Sequence, residues 1–452
     1  MATARRVVEI GVLAAATLLV LRTWFVEGLL VPVRVAGPSM AETFRGPHRQ
    51  VNCHDCGFSF AVAEDQWPAQ RAVVCPHCRA AMADLDPWPR YPGDRLLIDK
   101  LAFAWRPPRR WEAVVFRCPH QASRYCVKRI VGLPGERVQI AGGEVLVQGR
   151  LSPKSIWQFR QLAQLVHDNR FRHRPTKDRP PVWQSVAGGG WQSQGDGFRC
   201  LPRVSAADRE QPLAVDWLWF QHPAQPAPRA PLSRPLLVTD DYGYNQSLSR
   251  SLNPVNDLLL VTRLVTSGPG ELCLRGVTAD HQFLVRLQPA AGSGQLYVDG
   301  RLVAQWPGGR PFFRQPQQLE WALVDGTCQL AIAGQRIFRH VLAKSALGGE
   351  SVGGVTAGGG EVSGPSAPWT VWPLALGAAG VEVQLANLQV YRDVYYTKVA
   401  GDRGDQEEGI LLGDQQYFVL GDNSPRSQDS RQGSGGSPVH RDFLVGPARR
   451  GR

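Results

Sequence analysis

The hydrophobic and polar positions follow three patterns along the chain. Residues 7–31 are mostly apolar, with an uncharged run of 12 residues from position 10 to position 21. From residue 93 to residue 148, apolar and polar positions alternate, which is typical of strands with one buried face. This alternation predicts three short strands and one hairpin, over residues 93–100, 112–117, 125–131 and 136–148.

The third pattern begins near residue 257, after a poorly periodic stretch over residues 154–235. Short apolar runs then recur, separated by turn residues, over residues 257–265, 271–277, 282–287, 295–298, 320–324, 328–332 and 381–391. Short strands at even spacing predict an antiparallel β-sandwich. Residues 347–368 are rich in Gly and Ser and predict a long flexible loop.

The apolar run at the amino terminus predicts a membrane anchor. A span needs roughly 20 residues, and extension to position 26, across Arg22, gives 17. An Arg near a helix end can reach the headgroups, and Trp24 and Phe25 then serve as interfacial anchors. Arg5 and Arg6 place the amino terminus in the cytoplasm and the bulk of the chain outside.

A cleavable signal peptide is the alternative for this run, because 12 apolar residues also suit its central region. Cleavage needs small residues at −3 and −1. The only close candidate is Val35-Ala36-Gly37, where the cut would fall before Pro38. We therefore expect the anchor to be retained.

Composition limits the classes of protein that fit. The chain has 452 residues, 43% hydrophobic and 20% charged, which excludes a mainly disordered chain, a collagen and a polytopic membrane bundle. Domains of about 150 residues suggest three folded units. The net charge of +12 permits nucleic acid or an anionic membrane surface as a partner, and solubility alone explains it equally well.

Four of the nine cysteines are clustered in a C-x2-C-x18-C-x2-C array, namely Cys53, Cys56, Cys75 and Cys78. This spacing is typical of a zinc ribbon, in which four thiolates hold a structural metal with no position left for water. Two disulfides are the alternative, because the segment is expected outside the cytoplasm. His54 and His77 lie inside the two knuckles and are expected at the surface. The remaining cysteines are expected to be packing residues, at Cys118, Cys126, Cys200, Cys273 and Cys328.

Three separated motifs carry candidate chemistry. The first is Gly37-Pro38-Ser39-Met40, shortly after the apolar run. The second, residues 125–136, reads YCVKRIVGLPGE and interrupts an apolar strand with Lys128. The third, residues 417–431, reads YFVLGDNSPRSQDSR. Taken singly, each motif has an ordinary explanation. The first would be a serine in a turn, the second a lysine that faces solvent, and the third a polar turn at the surface.

Together the motifs resemble the type I signal peptidases, membrane-anchored serine proteases that use a Ser–Lys pair. The resemblance covers residues 5–46, 91–150 and 396–448, and includes the strand GDRLLIDK at residues 93–100. It implies a mainly β catalytic core behind one amino-terminal transmembrane helix, interrupted by the zinc ribbon and the β-sandwich. The expected divisions are residues 1–31 (anchor), 32–153 (core, with the ribbon at 47–90), 154–395 (sandwich) and 396–452 (core and basic tail).

The resemblance assigns roles to individual residues. Ser39 is implied as the nucleophile, Lys128 as the general base, and Ser427 as the hydrogen-bond partner that orients the Lys128 amine. Supporting roles are implied for Asp422 and for an ion pair between Asp429 and Arg431. A lysine with its ordinary pKa is neutral in only about one molecule in 2,500 at pH 7, so its pKa must be lowered. Burial on an apolar strand would do this, helped by Arg129 if its charge lies close.

The backbone N–H of Ser39 is the expected oxyanion donor. Some members of the family add a hydroxyl two residues before the nucleophile, where this chain has Gly37, so a second donor would be a backbone amide or water. Ala41 replaces a common Pro. Gln432-Gly433 replaces an aromatic-Gly pair, which changes the packing expected around the third motif.

The resemblance also implies substrates and location. The substrates are secreted pre-proteins with small residues at −3 and −1, bound by main-chain pairing to an edge strand. The enzyme would sit in the bacterial inner membrane as a single-pass protein, with its catalytic domain on the extracytoplasmic side and an apolar face against the bilayer. No cofactor is expected for catalysis and no nucleic acid as a partner. The last four residues are expected as a disordered basic tail.

The sandwich region resembles concanavalin-like or laminin-G-like jelly rolls, which implies a possible carbohydrate or protein ligand. Its many Trp residues would suit a sugar platform, but core packing is the commoner role. Two alternatives to a general signal peptidase remain. One is a dedicated Ser–Lys peptidase for a narrow set of envelope proteins, and the other is a non-catalytic binding scaffold.

Overall fold

The amino-terminal apolar run forms one helix. In the computed structural model, α1 spans Ala2–Leu21, and a π-helical turn, Arg22–Glu27, continues it. The stretch Arg5–Trp24 is 20 residues long and apolar enough to cross a bilayer, and none of it is buried against the described chain. The length and composition fit either a membrane anchor or a signal sequence.

The structure describes most of the chain, over residues 2–67, 72–82, 88–119, 121–175, 180–185, 189–202, 214–222, 237–342, 372–397, 409–432 and 437–450. The Gly/Ser-rich loop predicted over residues 347–368 lies outside these ranges.

In the first part of the chain, the described residues form twelve strands and a short helix after α1. They are β1 (Leu30–Arg34), β2 (His48–Asn52), β3 (Ser59–Ala63), β4 (Val73–Val74), β5 (Ala81–Met82), β6 (Arg90–Tyr91), β7 (Arg95–Asp99), α2 (Ala102–Trp105), β8 (Ala113–Cys118), β9 (Gln121–Gly132), β10 (Arg137–Ala141), β11 (Glu144–Val147) and β12 (Arg150–Leu151).

The rest of the chain is also mainly strand. The helix α3 (Ile156–Leu162) is followed by β13 (Gln164–Asp168), β14 (Trp183–Ser185), β15 (Trp191–Gln194), β16 (Gly197–Cys200), β17 (Asp216–Phe220), β18 (Leu258–Ser267), β19 (Glu271–Val277), β20 (Gln282–Gln288), β21 (Ser293–Val298), β22 (Arg301–Trp306), β23 (Gln317–Val324), β24 (Thr327–Ile332), β25 (Gln335–Val341), β26 (Leu374–Ala379), β27 (Glu382–Arg392), β28 (Ile410–Leu411), β29 (Gln416–Leu420), β30 (Val439–His440) and β31 (Leu444–Arg450).

One antiparallel sheet combines strands from both ends of the sequence. Its order is β1-β7-β31-β8-β9-β29-β30, and we call it the Lys128 sheet, because Lys128 lies on its strand β9. A second sheet, β12-β11-β10-β28, packs beside it. The two share a buried core that includes Trp111, Val131, Val138, Ile140, Phe418 and Leu420. Burial of these apolar faces therefore joins residues 95–151 to residues 410–450.

Two larger sheets form the sandwich. One has the order β15-β16-β27-β18-β23-β24-β25 with β13 paired to β27, and the other has the order β14-β17-β26-β19-β20-β21-β22. Apolar side chains from both sheets meet in one core, among them Leu260, Leu264, Leu274, Val285, Trp321 and Leu376. The mainly β fold, the core strands and the sandwich expected from the sequence are thus confirmed.

Three features differ from the sequence prediction. The poorly periodic stretch before residue 235 contains five strands, β13 to β17. The pattern also missed β22, β25 and β26. Arg449 and Arg450 lie in β31 and pair with Leu97 and Leu96, so the prediction of a disordered tail is wrong for these two residues. The pairing partner is more than 300 positions away, which no local pattern reveals.

Two small sheets form what we call the cysteine unit, the described residues between 48 and 91. One has the order β3-β2-β6 and the other pairs β4 with β5. Their apolar side chains surround the four clustered cysteines.

Candidate active site and metal centre

Ser39 lies on a tight turn between β1 and the cysteine unit. The N–H of Ala41 donates to the carbonyl of Pro38 at 3.1 Å, and the N–H of Phe44 donates to that of Met40 at 2.7 Å. Met40 and Phe44 are buried with Val35 and Leu96 beneath the turn. Ser39 itself is only half-buried, because the apolar residues after it anchor the turn and leave its side chain at the surface.

Lys128 lies in the middle of the Lys128 sheet. It pairs with Val114 of β8, and it is only 6% exposed. Burial disfavours the charged amine and lowers the pKa of Lys128 to about 8. Asp429 opposes this shift and Arg431 adds to it. The like charge therefore comes from Arg431, and the expectation that Arg129 would supply it is wrong.

Arg129 instead points to the opposite face of β9 and is paired. Its Nε and Nη2 donate to the two carboxylate oxygens of Asp422, at 2.8 and 2.5 Å, and its Nη1 donates to the carbonyl of Trp111 at 2.7 Å. Arg129 and Asp422 are both almost fully buried. The sequence assigned Asp422 a general supporting position but did not identify Arg129 as its partner.

The segment from Gly421 to Arg431, which we call the GDN loop, is held by a second buried ion pair. Arg431 Nε and Nη2 donate to Asp429 at 2.8 and 2.9 Å. Asp429 also accepts from the N–H of Gly421 at 3.0 Å, and Arg431 donates to the Ser424 hydroxyl at 2.8 Å. The ends of the loop are thus fixed to each other by charge-assisted hydrogen bonds.

Gly421 is the point at which the three motifs meet. Leu420 pairs with Arg129, so continuing the register places Gly421 opposite Lys128. A side chain at Gly421 would collide with both the Ser427 hydroxyl and the Ser39 carbonyl. The absence of a Cβ therefore lets Ser39, Lys128 and Ser427 approach one another although they are far apart in sequence.

The side chains of Ser39, Lys128 and Ser427 are not hydrogen-bonded to one another. Ser427 Oγ is buried and has no hydrogen-bond partner among the described residues, so the hydrogen bond expected from it to Lys128 is not formed here. No hydrogen bond joins the side chains of Ser39 and Lys128, both of which are described. Catalytic hydrogen bonds often form only when substrate is bound.

The four clustered cysteines form a candidate metal centre. Their Sγ atoms all lie within 4.8 Å of one another, with Cys53 and Cys78 at 3.5 Å and Cys56 and Cys75 at 3.8 Å. Tetrahedral zinc with Zn–S bonds of about 2.3 Å separates its sulfurs by about 3.8 Å. The four thiols are free rather than disulfide-bonded. The cluster therefore fits a structural metal such as zinc, with no open position for chemistry.

The surroundings of the cluster correct two expectations. His77 is not at the surface but buried, where its Nε2 accepts from the N–H of Asp168 at 2.9 Å and its ring stacks on His167. It thereby joins the cysteine unit to the sandwich. Cys118 and Cys126 are not separate packing residues but form a disulfide between β8 and β9. His54 is exposed as expected.

A match to a known family covers the part of the chain that contains Lys128. Residues 87–184 match the family described as "Signal peptidase, peptidase S26". The chain contains a peptidase S26 signal peptidase domain.

Two curated signal peptidases are similar to part of this domain. "Signal peptidase I" of Leptolyngbya laminosa is 40% identical over 65 residues, which cover 13% of this chain and 32% of the relative. "Probable signal peptidase I-2" of Synechocystis is 41% identical over 64 residues, covering 13% and 29%. The chain thus spans about a third of the length of the curated signal peptidases that it matches.

Solved structures with weak similarity cover about half of the chain. They include the carbohydrate-binding module CBM66 of Bacillus subtilis, with a TM-score of 0.26, 8% identity and coverage of 46% of this chain and 95% of that one. The exoplasmic/lumenal domain of VIP36 gives a TM-score of 0.28, 7% identity and coverage of 51% and 92%. Scores this low carry no argument about the function of this chain.

Proposed function

We propose that the protein is a membrane-bound serine endopeptidase that removes signal peptides from secreted pre-proteins. Ser39 is the nucleophile, Lys128 is the general base and Ser427 orients the Lys128 amine. The convergence of these residues around Gly421 carries the proposal. The lowered pKa of Lys128 supports it, because an amine with a pKa of about 8 is neutral in a useful fraction of molecules at pH 7.

The reaction follows from these roles. Neutral Lys128 accepts the Ser39 proton as Oγ attacks the scissile carbonyl, and the N–H of Ser39 stabilises the oxyanion. The protonated lysine then gives its proton to the leaving amine, and an acyl-enzyme ester forms at Ser39. Water hydrolyses the ester with Lys128 again acting as base. The Ser–Lys pair thus performs the two proton transfers that a Ser-His-Asp triad assigns to histidine.

Two observations support substrate binding beside the membrane. Strand β1 lies at the edge of the Lys128 sheet and ends five positions before Ser39, so an extended pre-protein has an edge with which to pair. The N–H of Lys100 donates to the carbonyl of Leu29, which places the following helix α2 beside the end of the anchor. Trp105 of α2 is 84% exposed and suits the bilayer interface.

We place the enzyme in the bacterial inner membrane, with α1 as its single transmembrane helix and the remainder on the extracytoplasmic side. The Cys118–Cys126 disulfide supports that location, because disulfides persist in oxidising compartments. Cys53, Cys56, Cys75 and Cys78 would hold structural zinc.

The test is cleavage of a pre-protein with Ala at −3 and −1 by the full chain in detergent, with wild type and Ser39→Ala compared. We expect wild type to cut after the −1 residue, as shown by sequencing the new amino terminus, and Ser39→Ala to be inactive. A fluorescent β-lactam that acylates serine should label wild type only. Labelling without cleavage of any general pre-protein would favour a dedicated peptidase, and equal labelling of both proteins would refute the Ser39 assignment.

A further inference from the structure

A described segment of the inserted region, residues 237–255, contacts the candidate active site, and we call it the bracing segment. Its ends are joined by a β-bridge between Thr239 and Pro254 and by a hydrogen bond from the N–H of Val255 to the carbonyl of Val238 at 2.8 Å. Asp240 is fully buried at its base and accepts from the N–H of Asn253 and from Arg250, each at 2.8 Å. The segment is therefore a closed loop with fixed ends.

At its tip, the bracing segment forms a reciprocal amide pair with the GDN loop. Asn245 Nδ2 donates to Asn423 Oδ1 at 2.7 Å, and Asn423 Nδ2 donates to Asn245 Oδ1 at 3.0 Å. Both asparagines are buried, Asn423 completely. Because each amide uses its oxygen and its nitrogen, neither can turn over without breaking both hydrogen bonds. The orientation of the Asn423 side chain is thus set by a residue outside the matched family region.

Asn423 in turn holds the backbone on both sides of the Ser39 nitrogen. Its Nδ2 donates to the carbonyl of Pro38 at 3.0 Å, and its backbone N–H donates to the carbonyl of Ser39 at 3.0 Å. The Pro38 carbonyl and the Ser39 N–H belong to one planar peptide unit. Fixing that carbonyl therefore fixes the direction of the N–H that is assigned to the oxyanion.

A second contact beside the amide pair fixes the neighbouring residue. The hydroxyl of Tyr242 donates to the carbonyl of Asp422 at 2.8 Å, and Tyr242 is buried. Asp422 is already paired with Arg129. The bracing segment therefore contacts two consecutive residues of the GDN loop and adjoins the ion pair beside Lys128.

We propose that Asn245 is a positioning residue of the active site, which acts through Asn423 to hold the Pro38–Ser39 peptide with its N–H directed at the developing oxyanion. This inference rests on the proposed Ser–Lys peptidase function and extends it. The inserted region thereby completes the catalytic centre.

The test measures kcat and KM of the full chain in detergent on the pre-protein substrate, with kcat expressed per active site labelled by the fluorescent β-lactam. We expect Asn245→Ala to lower kcat roughly tenfold or more with KM little changed, because the lost alignment acts in the transition state. Asn253→Ala removes the same amide from the same segment, where it donates to buried Asp240 at 3.0 Å. It therefore controls for lost stability, and it should lower kcat much less than Asn245→Ala does. Tyr242→Phe, which removes a single hydroxyl, should lower kcat in the same direction.

A double-mutant cycle separates positioning from general loosening. If Asn245 acts only through Asn423, then Asn245→Ala should cause no further loss of kcat in an Asn423→Ala background. The inference would be overturned if both Asn245→Ala and Tyr242→Phe kept wild-type kcat. It would also be overturned if Asn253→Ala, at an equal drop in Tm, lost as much kcat as Asn245→Ala. In either case, labelling at Ser39 would still uphold the proposed function. Absence of Ser39-dependent labelling in wild type would overturn both.

Discussion

Lys128, the proposed general base, and Ser39, the proposed nucleophile, are held in different ways. Lys128 lies inside a seven-stranded sheet, paired with neighbouring strands and almost fully buried. Ser39 lies on a half-buried turn whose carbonyl is held by Asn423 from another part of the chain. Lys128 is thus fixed by the regular hydrogen bonding of a sheet, whereas Ser39 depends on a few contacts between distant segments.

This difference shows where the insertions exert influence. Ala41, two residues after Ser39, packs in a small cluster with Ala61 and Ala63 of the cysteine unit and Tyr244 of the bracing segment. Gln246 of the bracing segment exchanges hydrogen bonds with the backbone of Val74 in the cysteine unit. Perturbing either insertion should therefore affect the Ser39 side of the site and leave the electrostatics of Lys128 largely unchanged.

The largest effect is expected from removing the base. Lys128→Met should lower kcat/KM at least about 10³-fold, because no amine remains to accept the Ser39 proton. The same variant should be more stable than wild type at pH 7, by about 1 kcal/mol or more, because it removes a buried amine whose charged form is disfavoured. Pre-protein cleavage and chemical denaturation measure the two effects.

The size of this stability gain depends on pH. The pKa of Lys128 is lowered in the folded protein from 10.5 to about 8, so the unfolded chain binds more protons between these values. Wild-type stability should therefore rise with pH across that window, and the advantage of Lys128→Met should shrink there. Lys100→Met, at an exposed position, is the matched control and should show neither effect. A variant destabilised equally at every pH would contradict the assignment of a buried amine.

The second effect concerns the buried ion pair between Arg129 and Asp422, on the opposite face of β9 from Lys128. Arg129→Leu leaves the Asp422 carboxylate buried without its partner and should destabilise the protein by about 3–5 kcal/mol. Arg426→Leu is the control, because Arg426 pairs with the largely exposed Asp65, and its loss should cost less than about 1 kcal/mol. Urea denaturation of both variants measures the difference, and equal losses would show that the sheet does not depend on this buried pair.

Part of this architecture could be predicted from the sequence. The alternation over residues 93–148 gave strands close to those observed, because one buried face imposes a period of two on a strand. The four cysteines of the ribbon were recognisable because their spacing directly reflects metal geometry. The approach of residues 417–431 to Lys128 was inferred only through the family resemblance, since no local pattern specifies pairing between strands nearly 300 positions apart.

Other contacts had no signal in the sequence. Asn245 lies in a segment without hydrophobic periodicity, and its importance arises only from the fold that brings it to Asn423. Arg129 looked like a second positive charge near Lys128, but adjacent residues in a strand face opposite sides. His77 was expected at the surface of its knuckle, but contact with the sandwich buries it. Each miss concerns a contact between parts of the chain whose association no local rule describes.

The third effect tests the dependence of Ser39 on the cysteine unit. In wild type, mass spectrometry and metal analysis should find one zinc ion per chain. Cys75→Ser removes one of the four thiolates and should abolish this zinc binding. We expect acylation of Ser39 by the fluorescent β-lactam to slow about tenfold, because the Ala41 contact loosens. Cys273→Ser, a buried thiol of the sandwich, should retain both zinc and labelling. Loss of zinc with an unchanged labelling rate would uncouple the cysteine unit from the nucleophile.

The smallest expected effect is on the pH dependence of kcat/KM. It is also the sharpest test of whether Lys128 and Ser39 are held by different contacts. In wild type, kcat/KM should rise about tenfold per pH unit and level off near pH 8, because only the neutral Lys128 amine accepts the Ser39 proton. Asn245→Ala should lower the plateau without moving the midpoint, since the bracing segment acts on the Ser39 peptide and Lys128 stays buried in its sheet. Cys75→Ser should behave in the same way. A midpoint that moves toward the ordinary lysine pKa in either variant would mean that the insertions also keep water from Lys128, and base and nucleophile would then depend on the same contacts.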